Sequence, residues 1–447
     1  MRKISGWGNY PIIEAEVSGF DTAAQLRTHL SGTSGSAIAF GNGRSYGDAP
    51  LQKRILLTRR FNKFLSFDER TGELRCQAGV LLSEILEVFV PRGWFLPVTP
   101  GTQLITVGGA IAADVHGKNH HQDGSFGQHV LSMDIMRSDG SIITCSPAGN
   151  TEFFNLTIGG LGLTGVILNA TFRLRRIETA YIRQETIRAA HLDEIMDLFE
   201  ASGDWTYSVA WIDCLAKGEA LGRSVMMRGE HASVEELPGH RHSHNPLDLR
   251  KKHTLEIPCN LPNFALNRLS MNAFNQAYFH LAPEEPKQKI VPLDSFFYPL
   301  DSIHQWNRIY GKRGFTQYQF VIPKEAGRAG LHEILGKISD SGLGSFLAVL
   351  KLLGAQESFL SFPMEGYTLA LDFPISPKAL GLFKELDAMV AGLGGRIYLA
   401  KDARMDAAMF EKTYPNAAEF RQAITMLNES ASARFASLLS TRLGITH

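Results

Sequence analysis

The chain has 447 residues, 45 Lys and Arg balanced by 45 Asp and Glu, 44% hydrophobic residues and 4 Cys. That profile fits a folded globular protein of roughly two or three domains and excludes a disordered tail, a collagen-like repeat and a coiled-coil rod. Zero net charge leaves no electrostatic footprint for nucleic acid. Cys76, Cys145, Cys214 and Cys259 form no CxxC pair, so neither a zinc site nor a disulfide scaffold is expected.

Arg2 and Lys3 are followed by no apolar h-region, so no Sec signal is expected. No apolar run reaches the roughly 20 residues that span a bilayer. The expected location is the cytoplasm or the membrane periphery. Ala37 to Phe40 reads as a short buried strand entering Gly41-Asn-Gly-Arg-Ser-Tyr-Gly-Asp48. Glycines there permit positive φ, so successive N–H groups can form an anion nest, with Arg44 and Ser45 beside a pyrophosphate. The same residues also fit a tight turn with an ion-paired arginine. Leu81 to Val90 has helical spacing and stops near Pro91 and Gly93.

Thr99-Pro-Gly-Thr102 leads into Thr106-Val-Gly-Gly-Ala-Ile-Ala-Ala113, a run with little side-chain bulk. It suits close approach of backbone to a flat ligand, or tight helix–sheet packing. Asp114, His116, Lys118, His120 and His121 follow closely. The histidines lack a third ligand and an HExxH pattern, so a polar cluster beside an anion or cofactor is expected, and no metal. Leu131 to Met136 and Ile142 to Thr144 read as a hairpin turning at Ser138-Asp-Gly-Ser141. Gly160-Leu-Gly-Leu-Thr-Gly165 matches GxGxxG but runs into a strand, Val166 to Leu174. A dinucleotide fingerprint must open a helix, so a Rossmann site is rejected.

Beyond Ile177 glycines thin out and aromatics rise. His191 to Glu200 reads as a helix, and Gly229 to Lys252 as a mobile polar loop. Phe315 to Pro323, Tyr367 to Pro374 and Gly394 to Asp402 read as strands, with helices after them. Several glycine-rich loops feeding strands without a Rossmann helix point to an extended dinucleotide laid across loops, with a second domain covering its reactive ring.

Gly6-Trp-Gly8, the 41–48 loop, Pro100-Gly-Thr102, and the 106–121 block ending His116-Gly-Lys-Asn-His-His121 resemble the decaprenylphosphoryl-β-D-ribose 2′-oxidase family. Gly124-Ser-Phe-Gly127, Gly162-Leu-Thr-Gly165, Gly314 to Pro323 and Ala400-Lys-Asp-Ala-Arg404 extend the resemblance over nearly the whole chain. It implies an α+β flavoprotein of the vanillyl-alcohol-oxidase type. Residues 1–178 and 394–447 would form the FAD-binding domain, and 179–393 an inserted substrate domain on an antiparallel sheet. Non-covalent FAD would be held by Gly41, Asn42, Gly43, Arg44, Ser45, Tyr46, Thr102, Gly109, Ala113, His116, Gly117, Ile167, Tyr398 and Lys401. Lys118, Tyr310, Gln317, Gln319, Lys351, Thr368 and Ala370 match substrate-facing positions.

The implied reaction oxidises the 2′-hydroxyl of a polyprenylphosphoryl ribose to a keto sugar, the first half of an epimerisation to the arabinose donor. A short-chain reductase partner would complete it. Lys401 is the expected stabiliser of reduced flavin, and Tyr46 or His116 the group that helps the hydroxyl proton leave. The lipid tail implies an apolar rim at Gly229 to His253 and Leu261 to Tyr278, with peripheral membrane contact. Three positions depart from the family: Ala370 replaces a cysteine, Thr368 an asparagine and Leu353 a phenylalanine. The competing readings are an oxidase of another sugar alcohol or aldonolactone, whose His-Trp-Ala-Lys signature is missing here, and a flavin-free scaffold.

Overall fold

Alternating apolar positions in the second half of the chain build the largest element of the computed structural model. The model describes residues 1–31, 35–237, 244–249, 254–262, 266–428 and 433–446. Eight strands form one antiparallel sheet in the order Lys287–Pro292, Tyr181–Ala189, Ser224–His231, Tyr207–Ile212, Ala348–Leu353, Gly366–Pro374, Phe315–Pro323 and Arg396–Ile397. Side chains alternate between its faces. Register pairs Gln319 with Ala370, Val349 with Ala370 and Lys351 with Thr368, which fixes one polar row across the central strands. The opposite face is covered by helices Leu192–Glu200, Lys324–Ser341 and Pro377–Gly392. Each presents an apolar stripe, such as Leu192, Ile195, Met196 and Phe199, all buried. Burial of such side chains contributes about 1.5–3 kcal/mol each.

Two smaller sheets come from the glycine-rich third. Phe64–Asp68, Glu73–Gln77, Val166–Arg173, Val130–Met136 and Ile142–Cys145 form an antiparallel sheet. The other has the order Arg2–Ile4, Ile13–Gly19, Arg54–Leu57, Gly35–Phe40 and Ala433–Phe435. Its last strand comes from the far end of the chain and lies parallel to Gly35–Phe40. The architecture is therefore mixed α and β, with an antiparallel sheet behind the polar row.

The expected hairpin at 138–141 and the helix ending before Gly93 are present, with Gly140 and Gly93 both at φ +82°. The strand after Gly165 is also present, and no helix opens there. Two expectations change. Gly229 to His231 belong to strand Ser224–His231, paired with Ile182 to Gln184, so the polar loop starts later. Residues 238–243 and 250–253 of that loop lie outside the described residues. In the rim segment Leu261 to Tyr278, residues from 268 onward belong to helix Arg268–Leu281, capped by Asn267, and residues 263–265 lie outside the described residues. Gly394 to Asp402 keeps only Arg396–Ile397 as strand, and Lys401 sits in the turn that follows. Among the described residues no helix is long and apolar enough to cross a membrane.

Candidate active site

The polar row faces a cavity of about 590 Å³, closed on its other side by the glycine-rich loops. The loop 41–48 is held from both chain ends. The Trp7 amide donates to the Ser45 carbonyl at 2.7 Å, and the Ser45 hydroxyl to the Ala400 carbonyl at 2.5 Å. The Asn42 amide side chain donates to the Leu104 carbonyl at 2.7 Å. Gly43 has φ +63°, open only to glycine at low cost, and a Cβ on Gly47 would stand 1.8 Å from the Asp402 carbonyl oxygen. Arg442 then ties the two segments, donating to Asp48 at 2.8 and 3.1 Å and to Asp402 at 3.0 Å.

Among the described residues, the amides of residues 42–45 donate to no acceptor. These four residues line the cavity, so their amides are left without a protein partner at its wall. Among the described residues Arg44 has no ion-pair partner within 4 Å. Its guanidinium stacks 3.9 Å from the Trp7 ring centroid. The small-residue run is helix Val107–Ala112, capped by the Thr106 hydroxyl, and a Cβ on Gly108 would touch Ala78 at 3.0 Å. Gly109 and Ala113 line the cavity beside it, so the run packs on one side and borders the cavity on the other.

The histidines diverge to separate partners. His120 is bracketed by the Gly354 amide at 3.1 Å and Gln356 at 2.9 Å, and Gln356 in turn donates to Asp114 at 2.7 Å. His121 meets the Trp205 carbonyl at 2.8 Å. His116 lines the cavity: Gln319 Nε2 lies 3.2 Å from its Nε2, which leaves buried Nδ1 without a partner. Burial, then Lys351, His120 and Lys401, hold this imidazole well below the usual histidine range, so it is neutral. Tyr398 stacks with Phe362 at 4.6 Å and donates to the Ala113 carbonyl at 3.0 Å.

At the other end, the Lys401 ammonium sits 3.8 Å from the Tyr46 ring centroid. Burial pushes it down to about 7, opposed by the field of Asp372 and aided by Lys351. Asp402, the buried acidic neighbour of Lys401 in sequence, is engaged by Arg442 and Arg404 instead. Lys351 is pushed by burial down to about 8. Tyr46 is held well above the usual phenol range, by burial first and Asp372 second. Lys118 donates to the carbonyls of Phe296 and Phe297 at 2.7 and 3.2 Å, pinning the wall they form.

Gly41, Thr102, Gly117, Ile167, Gln317, Gln319, Thr368 and Ala370 also line the cavity. Thr102 does so while bonded to Asp301 at 2.7 Å. Tyr310 does not line it. Its ring stacks on Phe315 at 4.2 Å and on Phe346 at 5.8 Å, because the short helix Trp306–Tyr310 turns it into an aromatic plug behind Tyr46. Leu353 is buried in the core and does not line the cavity. Trp7, from the Gly6-Trp-Gly8 motif, and Tyr278, from the expected rim, line it, and so do Trp211, Phe296 and Phe297, which the sequence reading did not single out. Trp211 and the two phenylalanines carried a signal as aromatics inside or beside strands. Asp372, beyond the cavity wall, carried none.

Comparison with known proteins places this geometry. A family model described as FAD binding domain matches residues 31–146. The decaprenylphosphoryl-beta-D-ribose oxidase of Mycolicibacterium smegmatis is 37% identical over 430 residues, 94% of this chain and 93% of that protein. Other relatives match a shorter part. The D-lactate dehydrogenase of Archaeoglobus fulgidus is 31% identical over 30% of this chain and 31% of its own length. The mouse L-gulonolactone oxidase is 27% identical over 30% of each. FAD is the cofactor that these relationships and the free amides of the 41–48 loop support together, and the chain belongs to the decaprenylphosphoryl-β-D-ribose oxidase family of FAD-dependent oxidoreductases.

Proposed function

We propose that this protein oxidises the 2′-hydroxyl of a polyprenylphosphoryl-β-D-ribose to the 2′-keto sugar, the first half of epimerisation to arabinose. The observation that carries it is one cavity lined by the 42–45 loop, by Gln317, Gln319 and Lys351 from the sheet, and by Lys401 from the turn beside Tyr46. Residues 1–178 and 394–447 serve FAD, and 179–393 the sugar. The pairing of Ala433–Phe435 with Gly35–Phe40 supports that division. FAD, bound non-covalently, supplies the hydride acceptor. The amides of residues 42–45 hold its pyrophosphate. Gly109, Ala113, Gly117 and Ile167 line its channel, Tyr398 closes it, and the unpartnered His116 Nδ1 supplies a donor.

Gln319 and Lys351 orient the sugar hydroxyls, and Lys118 keeps the Phe296–Phe297 wall in place. The hydroxyl proton needs an acceptor. Tyr46 keeps its own proton, and neutral His116 is a weak base, since both are shifted away from neutrality. Lys401, brought to about 7, is matched to the task. Taking that proton would leave Lys401 a cation at the cavity wall, placed to favour electron transfer to FAD bound there. The lipid lies outward, past Trp211 and Tyr278, whose rings stand 4.7 Å apart. Exposed Phe274 and Leu281 on helix Arg268–Leu281 continue that path toward a membrane face. A short-chain reductase acts next on the keto sugar.

The test is to incubate enzyme with polyprenylphosphoryl ribose and trap the product with borodeuteride. Deuterium at C2′ is expected, and label elsewhere or none overturns the assignment. Acid precipitation should leave a colourless pellet, as non-covalent FAD requires. An aldonolactone oxidase is the second reading, and such relatives match only a quarter to a third of this chain.

A further inference from the structure

Behind the end of the cavity formed by Lys401 and Tyr46 lies a carboxylate that the proposed chemistry does not use. Asp372 follows Ala370 by two residues on strand Gly366–Pro374, so it faces the same way. Tyr46, Phe315, Tyr310 and Trp306 form an aromatic cluster at this end, and Asp372 is fully buried. Its Oδ1 accepts from Gln317 Nε2 at 2.7 Å, and its backbone amide donates to the Ser345 hydroxyl at 3.1 Å. Among the described residues its other oxygen, Oδ2, has no hydrogen-bond partner, and neither has the buried Tyr310 hydroxyl. A buried carboxylate with an unsatisfied oxygen stays charged only if a cation compensates it.

Gln317, which holds Asp372, lines the same cavity as Lys401, and Phe315, on the same strand as Gln317, packs on the Tyr46 ring that Lys401 covers; Lys401 is the cation whose charge reaches Asp372. We infer that Asp372 is a positioning residue for Lys401: from behind the cavity, through its field and its bond to Gln317, it sets whether Lys401 is protonated. This rests on the reading of Lys401 as the group facing FAD. The other groups around the pair are accounted for. Lys401 sits over the Tyr46 ring and feels the charge of Lys351, while Asp372 is bonded to Gln317 and Ser345 and its charge reaches Tyr46 and Tyr310. Lys351 and burial favour neutral Lys401, and Asp372 is the group that favours the cation. Burial drives Asp372 toward its neutral acid, and Gln317 and Lys401 hold it charged.

The sign of the consequence follows. Removing the Asp372 charge removes what raises the proton affinity of Lys401, so the lysine loses its proton at lower pH. The midpoint potential of bound FAD, followed against pH in the full-length holoenzyme without substrate, reads this directly. The wild type should show a break near neutrality. In Asp372→Asn the break should move to lower pH, with a more negative potential above it. In a Lys401→Arg background, where the guanidinium stays charged, Asp372→Asn should leave the profile unmoved.

Gln317→Leu is the second variant, used if Asp372→Asn does not retain FAD. It strips the donor that keeps Asp372 charged and should move the break in the same direction. A wild-type profile in Asp372→Asn, or in Gln317→Leu where that is the variant used, overturns the inference. So does an equal shift with Arg at 401. Lys401→Met separates the two layers. An unchanged potential there defeats the reading of Lys401 itself, whereas a changed potential with an unmoved Asp372→Asn defeats only the inference.

Discussion

Lys401 is placed by a turn rather than by a strand, with its ammonium against the Tyr46 ring and its nearest acidic neighbour in sequence already bound to two arginines. A lysine in that position has little to do for stability, so its removal should be felt in chemistry. Lys401→Met is expected to keep FAD and to slow flavin reduction by about 10²–10⁴-fold, the range for a lost proton acceptor. Stopped-flow reduction checks this, and a near wild-type rate contradicts it. The cysteines give a second prediction at this scale. Cys76, Cys145 and Cys214 are buried and their thiols are pushed up by burial, while Cys259 is exposed and Ala370 leaves the cavity without a thiol. A thiol-reactive probe applied to native enzyme should add one label, at Cys259, and spare flavin reduction. Intact mass followed by peptide mapping decides it.

The loop 41–48 works because its neighbours approach without side chains between them. Gly47→Ala would drive a Cβ into the Asp402 carbonyl, which the Asp48–Arg442–Asp402 clamp leaves no room to relieve. The expected cost is about 2–3 kcal/mol of stability together with weaker FAD retention. Thermal unfolding and the flavin-to-protein absorbance ratio check both. This loop and the 106–117 run were legible from residues alone, because glycine and alanine spacing reports backbone demands directly. The helix Arg268–Leu281 was not. Its apolar residues lie on an exposed side as well as a buried one, so their spacing could not say which face packs. Tyr310 was misjudged for a related reason, since the short helix Trp306–Tyr310 turns its ring into the plug.

At the scale of the molecule, the cavity exists only when distant stretches meet: the glycine loops, the sheet row and the last turns of the chain. Arg442 is the plainest case. Nothing near it in sequence marks it, yet it joins Asp48 to Asp402. Arg442→Ala should cost about 3 kcal/mol by leaving the buried Asp48 carboxylate unpaired, and should release FAD on dilution. A melting temperature equal to wild type would contradict this. Asp372 escaped notice for the same reason, because its significance lies in what the strands beside it bring near. The central claim is that the ribose 2′-hydroxyl of a lipid-linked sugar gives its hydride to FAD in this cavity. Anaerobic mixing of holoenzyme with polyprenylphosphoryl ribose tests it most directly. Loss of the yellow flavin absorbance with that substrate, and none with free ribose or an aldonolactone, is the predicted result. Bleaching by the free sugar or lactone and not by the lipid-linked ribose would contradict it.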